Sequence, residues 1–370
     1  MIHSRILYPM ELRQVIMPAR LNQRPGPSQE SAGRAANLRG MEPKGYVCYR
    51  AAHTIEIDGD ITKAVWQAAA WTDDFVDIEG DLRPLPRFRT RAKMLWDDRY
   101  FYIAVEMEEP HVWGTLTERD CVIFQDNDFE LFIDPDGDNH LYYELEVNAL
   151  NTVWDLLLVK PYRDGGPAIN GWDIAGLQTA VQVQGTLNDP TDTDTGWTVE
   201  IALPWKALKE CTQRPAPPQH GDQWRVNFSR VQWQTEIVEG ATRKVAGTRE
   251  DNWVWTPQGV VDMHRPEQWG YVQFSTQVQG TTPFVPDPAG RVRQALMRAY
   301  YRQRAYHKEQ GRYAAHWAEL GEEGQEAGVG PLSLETTSVG FVVGATVTLP
   351  DGSRERWWIQ QDSRLWSERE

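Results

Sequence analysis

Between residues 90 and 232 the chain repeats one pattern. Short runs alternate apolar and polar side chains, and each ends in Gly, Pro, Asn or Asp. The runs cover 91–96, 100–107, 129–134, 142–148, 152–160, 177–184, 197–203 and 223–231. Successive side chains of a strand leave opposite faces, so this alternation gives each strand one apolar face. In 142–148 that face carries Tyr143, Leu145 and Val147; the other carries Tyr142, Glu144, Glu146 and Asn148. In 129–134, Phe129, Leu131 and Ile133 oppose Glu130, Phe132 and Asp134. In 223–231, Trp224, Val226 and Phe228 oppose Arg225, Asn227 and Ser229. Many short strands separated by turn residues predict an all-β region, an antiparallel β-sandwich of immunoglobulin or jelly-roll type. After residue 290 the period becomes helical, with Val292, Leu296, Ala299, Tyr300, Ala305 and Tyr306 on one side and Gly311 placed to cap. A short second helix around 317–320 and strands at 338–349 and 356–361 complete a small α+β C-terminal domain.

Charge divides the chain at the same places. Residues 1–40 carry six Arg against two acids and no apolar periodicity, and read as a disordered N-terminal extension. They lack the continuous apolar core of a signal peptide. Met41 opens the folded-looking sequence and is the alternative start if the first is wrongly chosen. Residues 41–280 carry 39 acids against 21 bases, and 281–290 is a Pro-rich linker to the domain of 291–370. The formal net charge of −15 disfavours nucleic acid, whose phosphates need a basic face. No run reaches the length of a membrane span. Cys48, Cys121 and Cys211 are three and fit no zinc spacing, which argues against a disulfide framework. The mean hydropathy is −0.58, yet the chain holds 17 Trp, a residue suited to cores and stacking platforms alike.

The polar strand faces are rich in carboxylates, amides, Arg and aromatic rings. Planar bidentate groups suit sugar hydroxyls, and an aromatic ring suits the C–H face of a pyranose. Six segments in order then resemble the family 9 carbohydrate-binding module and its stand-alone relatives. They are Ile57-Asp-Gly-Asp-Ile61 with Trp66, the run 93–103 around Trp96-Asp-Asp, Gln125 to Gly137 with Glu130, the strand 143–148, Gly196 to Trp205, and Trp255-Thr-Pro with Pro266 to Gly270. The resemblance implies an antiparallel β-sandwich that binds sugars without cleaving them, in polysaccharide degradation or uptake. It also implies an extracellular or periplasmic location. On that alignment Phe124 stands where sugar-binding members have a stacking Trp. Glu130 is the acid that accepts hydroxyls, and Asn148 is the retained amide. Glu146 replaces an Arg, and Met263 replaces the second stacking Trp.

With that pair of Trp replaced, Trp154, Trp172, Trp253 and Trp255 are the candidates for a sugar-stacking ring. The stretch 148–173, dense in amides, Arg and Trp, adds Arg163 to the expected site. The expected carbohydrate-binding set is therefore Phe124, Glu130, Asn148, Trp154, Arg163, Trp172 and Trp255. Arg225 and Asn227 are expected in a buried Arg–carboxylate arrangement. Asp134, Asp136 and Asp138 place hard oxygens at alternate positions, as a structural calcium site would, although an Asp-Gly hairpin explains them too. Glu130 with Glu146 or Glu144 can be drawn as a glycosidase pair, but nothing fixes their separation. No HExxH, nucleophile elbow or phosphate loop is present. Met263-His264 leaves open a haem-binding relative of the same sandwich, and the missing Trp pair leaves open a scaffolding protein. The basic helix near 291–308 could meet a membrane or an acidic protein partner. Its order of helix, Gly311-Arg-Tyr313, Glu319-Leu320 and strands resembles the soluble part of type IV pilin-like proteins.

Overall fold

Eleven strands carry the larger part of the molecule. They are β1 (Gly45–Arg50), β2 (Thr90–Trp96), β3 (Tyr100–Glu108), β4 (Asp128–Asp134), β5 (Tyr142–Asn148), β6 (Val153–Leu158), β7 (Gln178–Gln184), β8 (Gly196–Pro204), β9 (Gln223–Gln232), β10 (Asp251–Val254) and β11 (Gly270–Ser275). The computed structural model describes residues 43–321, 324 and 329–370. The extension expected over 1–40 and the alternative start at Met41 lie outside them. Residues 40–370 form one compact unit.

The order β6-β5-β4-β9-β11-β1-β2-β3-β8-β7 runs through a single sheet. It curls, so that both halves contribute side chains to one core, as a sandwich requires. Met94, Ile103, Val105, Val199 and Ile201 enter from one half; Leu131, Ile133, Leu145, Val226 and Phe228 enter from the other. The alternation read from the sequence places these residues correctly. The expectation of a purely antiparallel sheet does not hold. β1 pairs parallel to both β11 and β2, which its long connection through residues 51–89 permits.

That connection explains the opening motif. Glu200 of β8 points out of the sheet and is fully buried. It accepts hydrogen bonds from the backbone N–H of Asp58 (3.0 Å) and Gly59 (2.8 Å), from Lys63 Nζ (2.7 Å) and from Trp66 Nε1 (2.6 Å). Gly59 has φ +87°, and a side chain there would meet the backbone of β7 at 3.0 Å. The Asp-Gly and the Trp of the opening motif and the Glu of a second, distant motif therefore form one joint. Trp66, Trp96, Trp197, Trp205 and Trp269 are all nearly inaccessible. Burying one such ring removes roughly 200 Å² from water, worth about 5 kcal/mol before ordering costs.

A helix, α1 (Gly290–Gln310), then packs on an antiparallel sheet of β12 (Ser333–Thr336), β13 (Phe341–Thr348), β14 (Arg354–Gln360) and β15 (Leu365–Arg369). Val292, Ala295, Leu296, Ala299 and Tyr300 meet Phe341, Val343, Trp357, Ile359 and Leu365. The buried stripe ends at Gln303; Ala305, expected on it, is exposed and Tyr306 is half-buried. Part of the basic side of the helix turns to the sandwich, while Arg291 and Lys308 are exposed. Arg304 pairs with Asp164 at 2.6 Å, Arg293 donates to the carbonyl of Gly137, and Tyr301 donates to Glu267. The stretch expected as a linker is held too: the Gln273 side chain bonds the backbone of Pro283 and Val285.

Candidate functional site

β9, β4, β5 and β6 lie side by side, and their second face carries the polar residues noted in the sequence. Register aligns them in rows. Ser229, Glu130, Glu146 and Trp154 form one row across four strands. Asn227, Phe132, Glu144 and Leu156 form the next, and Val231, Asp128 and Asn148 the one before. The sequence pattern implies a solvated face. Instead loops cover it: Ile78, Ile123, Val254, Met263 and Trp269 pack over Phe132, Tyr142, Trp154, Leu156 and Leu158. Under that cover Asp128, Glu130, Glu144 and Glu146 are 0–6% exposed.

Four carboxylates so enclosed resist ionising together. Burial pushes the Glu130 carboxyl up to about 7. Burial, then repulsion from Glu130 and its neighbours, raises Asp128, Glu144 and Glu146 well above the ordinary carboxylate range. Few donors meet them. Glu146 accepts the backbone N–H of Phe124 at 2.9 Å, and Asp128 Oδ1 accepts that of Val231 at 3.3 Å. The Ser229 hydroxyl faces Glu130 and favours its ionised form, while Asp128 Oδ2 and the Trp154 indole N–H are buried without a partner.

Aromatic side chains border the acids. Phe124 is half-buried, and its carbonyl accepts the indole N–H of Trp233 at 2.9 Å. Lys244 Nζ lies 3.8 Å from the Trp233 ring centroid. Tyr162 is 43% exposed, and burial, then the charges of Glu144 and Glu146, raises its pKa. Its ring meets His264 edge-on at 4.4 Å, and His264 Nδ1 bonds the Tyr142 hydroxyl at 2.9 Å. Tyr162, His264, Asp128 and Trp233 stand outside the set expected from the sequence. Tyr162 sits inside the polar stretch singled out there, between Lys160 and Arg163, and that position was the available signal.

The expected binding residues separate into three places. Glu130, Asn148 and Trp154 share the covered face, with Phe124 beside it. Asn148 is already occupied, because its amide donates to Leu116 and Asp126 and accepts from Leu150 and Thr152. Trp154 is 9% exposed. Trp172 and Trp255 are on the other side of the sheet. Trp172 stacks on Tyr143 at 4.9 Å and donates to Glu210. Trp255 is 1% exposed inside the main core beside Phe228, and Trp253 is buried there too, so neither offers a ring to a ligand. Arg163 lies against α1. It donates to His264 O and Glu267 at 2.9 Å each and sits near the rings of Tyr300 and Tyr301.

Arg225 does not form the expected carboxylate ion pair. It lies 3.7 Å from the Tyr271 ring centroid and donates to Trp269 O. Asn227 bridges the backbone of Thr256. Of the pair considered for haem, Met263 is buried in the covering cluster and His264 is engaged as described.

Three groups of acids among the described residues bring ligand atoms within 4.8 Å of one another. Asp120, Asp155 and Asp173 already share Arg119. Asp134, Asp136 and Asp138, the expected calcium loop, converge around Gly137. Asp134 accepts the N–H of Gly137 and Asn139, and burial raises Asp138 to about 7. Arg364 pairs with Asp138 at 3.4 Å, and Arg293 reaches the Gly137 carbonyl from α1. Cationic side chains are thus already at this loop. The third group is Asp128, Glu130 and Glu146.

Comparison with solved structures finds a family 9 carbohydrate-binding module from Caldicellulosiruptor kristjanssonii, seen with cellotriose and with glucose. Each is 14% identical; they cover 66% and 64% of this chain, and 100% of their own, at a TM-score of 0.43. No curated protein matches. The model for carbohydrate family 9 binding domain-like proteins matches residues 57–275, more than half of the chain, and the chain belongs to that family.

Proposed function

We propose that the chain is a non-catalytic carbohydrate-binding protein whose site is the face of β4 and β5 bordered by Phe124, Tyr162 and His264. The observation that supports this most is the row Ser229-Glu130-Glu146-Trp154, polar and almost wholly buried, beside a ring as exposed as Tyr162. A fold gains nothing from burying acids without donors, whereas a sugar brings hydroxyls that donate. The module seen with cellotriose makes a glucan the first ligand to try. Isothermal titration of the whole chain with cellotriose, xylotriose and mannotriose tests the reading. Binding to one of them that is lost in Glu130→Gln and Tyr162→Ala is the expected result. No heat with any of them, from folded protein, overturns it.

Action outside the cytoplasm, on polysaccharide that is being degraded or taken up, goes with this reading. Among the described residues no helix is long and apolar enough to cross a membrane. Residues 291–370 serve as a docked appendage, which the contacts of Arg293, Tyr301 and Arg304 support. The pilin-like resemblance of this segment rests on its order of helix and strands. A second reading, a scaffold whose sandwich has lost its sugar site, draws support from the full engagement of Asn148 and the burial of Trp255.

A further inference from the structure

We infer that the outer face of the C-terminal sheet is a second carbohydrate-binding surface, on which Trp358 and Trp366 stack the rings of a neutral, β-linked glycan. It lies outside the segment 57–275 matched by the family model and shares no residue with the face of β4 and β5.

The surface is built by register. Trp357, Ile359 and Leu365 point to α1 and are buried against it. Alternation sends Trp358 and Trp366 to the opposite face, where both are only half-buried. Ser333, Gly344, Trp358 and Trp366 form one row across β12, β13, β14 and β15. The two indoles are nearly parallel, at 16°, with centroids 5.8 Å apart. Rings at that spacing are offset and overlap only in part, so they present a stepped aromatic surface. Gly344 seats the first of them. A Cβ there would stand 2.9 Å from Trp358 Cδ1 and 3.1 Å from its Nε1, so the ring lies over the glycine. Glycine inside a strand weakens it and marks a place of close approach. Neither the Trp358 nor the Trp366 indole N–H is bonded to another described residue, and neither is buried, unlike that of Trp357.

Charge and area choose the occupant. Arg354 and Arg356 share the face with Glu335, Glu368 and Glu370, and Arg354 pairs with Glu370 at 3.3 Å. Two guanidiniums against three carboxylates make no positive field, so nothing there attracts a phosphate-bearing ligand. Two Trp side chains offer roughly 500 Å² at most, below the about 800 Å² that each partner brings to a stable protein interface. An uncharged pyranose fits both limits. Its C–H face covers a ring of matching size, and its hydroxyls find the free indole N–H groups and the planar groups beside them. The Arg356 guanidinium lies 5.5 Å from the Trp358 ring centroid, and Glu368 stands directly across the ladder from Arg356. A chain with two sugar-binding surfaces holds a polymer by avidity, which a short oligosaccharide does not reveal.

The test is a titration of the full chain with cellohexaose, followed through the indole N–H signals of its 1H–15N spectrum. Trp358→Phe and Trp366→Phe identify the two signals by their disappearance. Both signals are expected to shift with added sugar, and to shift still when Glu130→Gln and Tyr162→Ala are combined. Retention on insoluble cellulose should fall about tenfold or more in folded Trp366→Ala. Signals that stay in place with cellohexaose, xylohexaose and mannohexaose overturn the inference. Shifts that vanish in the Glu130→Gln, Tyr162→Ala protein also overturn it, because they would then be relayed from the other face. Self-association that Trp366→Ala abolishes, with no shift by sugar, would make this face an interface between copies and overturn it too. Shifts here with no binding that depends on Glu130 and Tyr162 would sustain this surface and remove the other site.

Discussion

Glu200 and Glu130 are matched opposites. Both are glutamates on an outward face of the same curled sheet, and both are buried. Glu200 is surrounded by two backbone N–H groups, an ammonium and an indole N–H. Glu130 has three carboxylates as neighbours and, against them, the Ser229 hydroxyl. Burial of a charge costs several kcal/mol unless partners replace the water. At Glu200 the fold supplies those partners, and the residue joins two distant motifs. At Glu130 the fold supplies fewer, and the proposed sugar would add donors there. The contrast separates an acid that builds the fold from one that waits on it.

The largest expected effect is at the structural pole. Glu200→Ala removes the acceptor of the buried Trp66 indole and of the Asp58 and Gly59 N–H groups, and should cost about 3–5 kcal/mol in denaturant unfolding. Trp255→Ala should cost a similar amount, about 3–5 kcal/mol, through the cavity it leaves, with sugar affinity unchanged in protein that remains folded. At the other pole the sign reverses. Glu130→Gln removes an uncompensated acid and should leave the protein as stable at pH 8, or roughly 1 kcal/mol more stable. A loss comparable to that of Glu200→Ala would remove the distinction between the two acids.

The pH dependence sharpens the same contrast. Glu130 and its neighbours keep their protons in the folded state at pH values where the unfolded chain has released them. The folded state then binds more protons, so stability falls as pH rises from the ordinary carboxylate range through about 7. Melting curves of the protein between pH 5 and 8 should show this decline, and Glu130→Gln should reduce it. The smallest effect on stability is at Tyr162. Being 43% exposed, Tyr162→Ala should change unfolding free energy by about 0.5 kcal/mol or less, yet weaken sugar binding by about tenfold through the lost ring face.

The sequence announces its fold well because strand alternation is local. Phe129, Leu131 and Ile133 must share a face whatever the tertiary structure, and they do. The motifs of the opening segment and of β8 also proved meaningful, since Gly59, Trp66 and Glu200 meet in one joint. The site was only partly legible, because alternation assigns a face but not what covers it. Nothing local shows that residues 109–127 and 258–269 fold over β4 and β5, so a face that reads as solvated is in fact enclosed. Trp255 reads as a stacking platform because a Trp in a core and a Trp in a site have the same one-letter surroundings. Arg163 read as a sugar ligand, but its partner Glu267 is 104 residues away. The parallel pairing of β1 likewise depends on a crossover that no periodicity records.

The most direct measurement is a crystal structure of the whole chain grown with cellotriose. The account predicts a sugar ring against Tyr162 with hydroxyls donating to Glu130. Electron density for cellotriose elsewhere on the molecule, with Glu130 and Tyr162 unchanged, would contradict it.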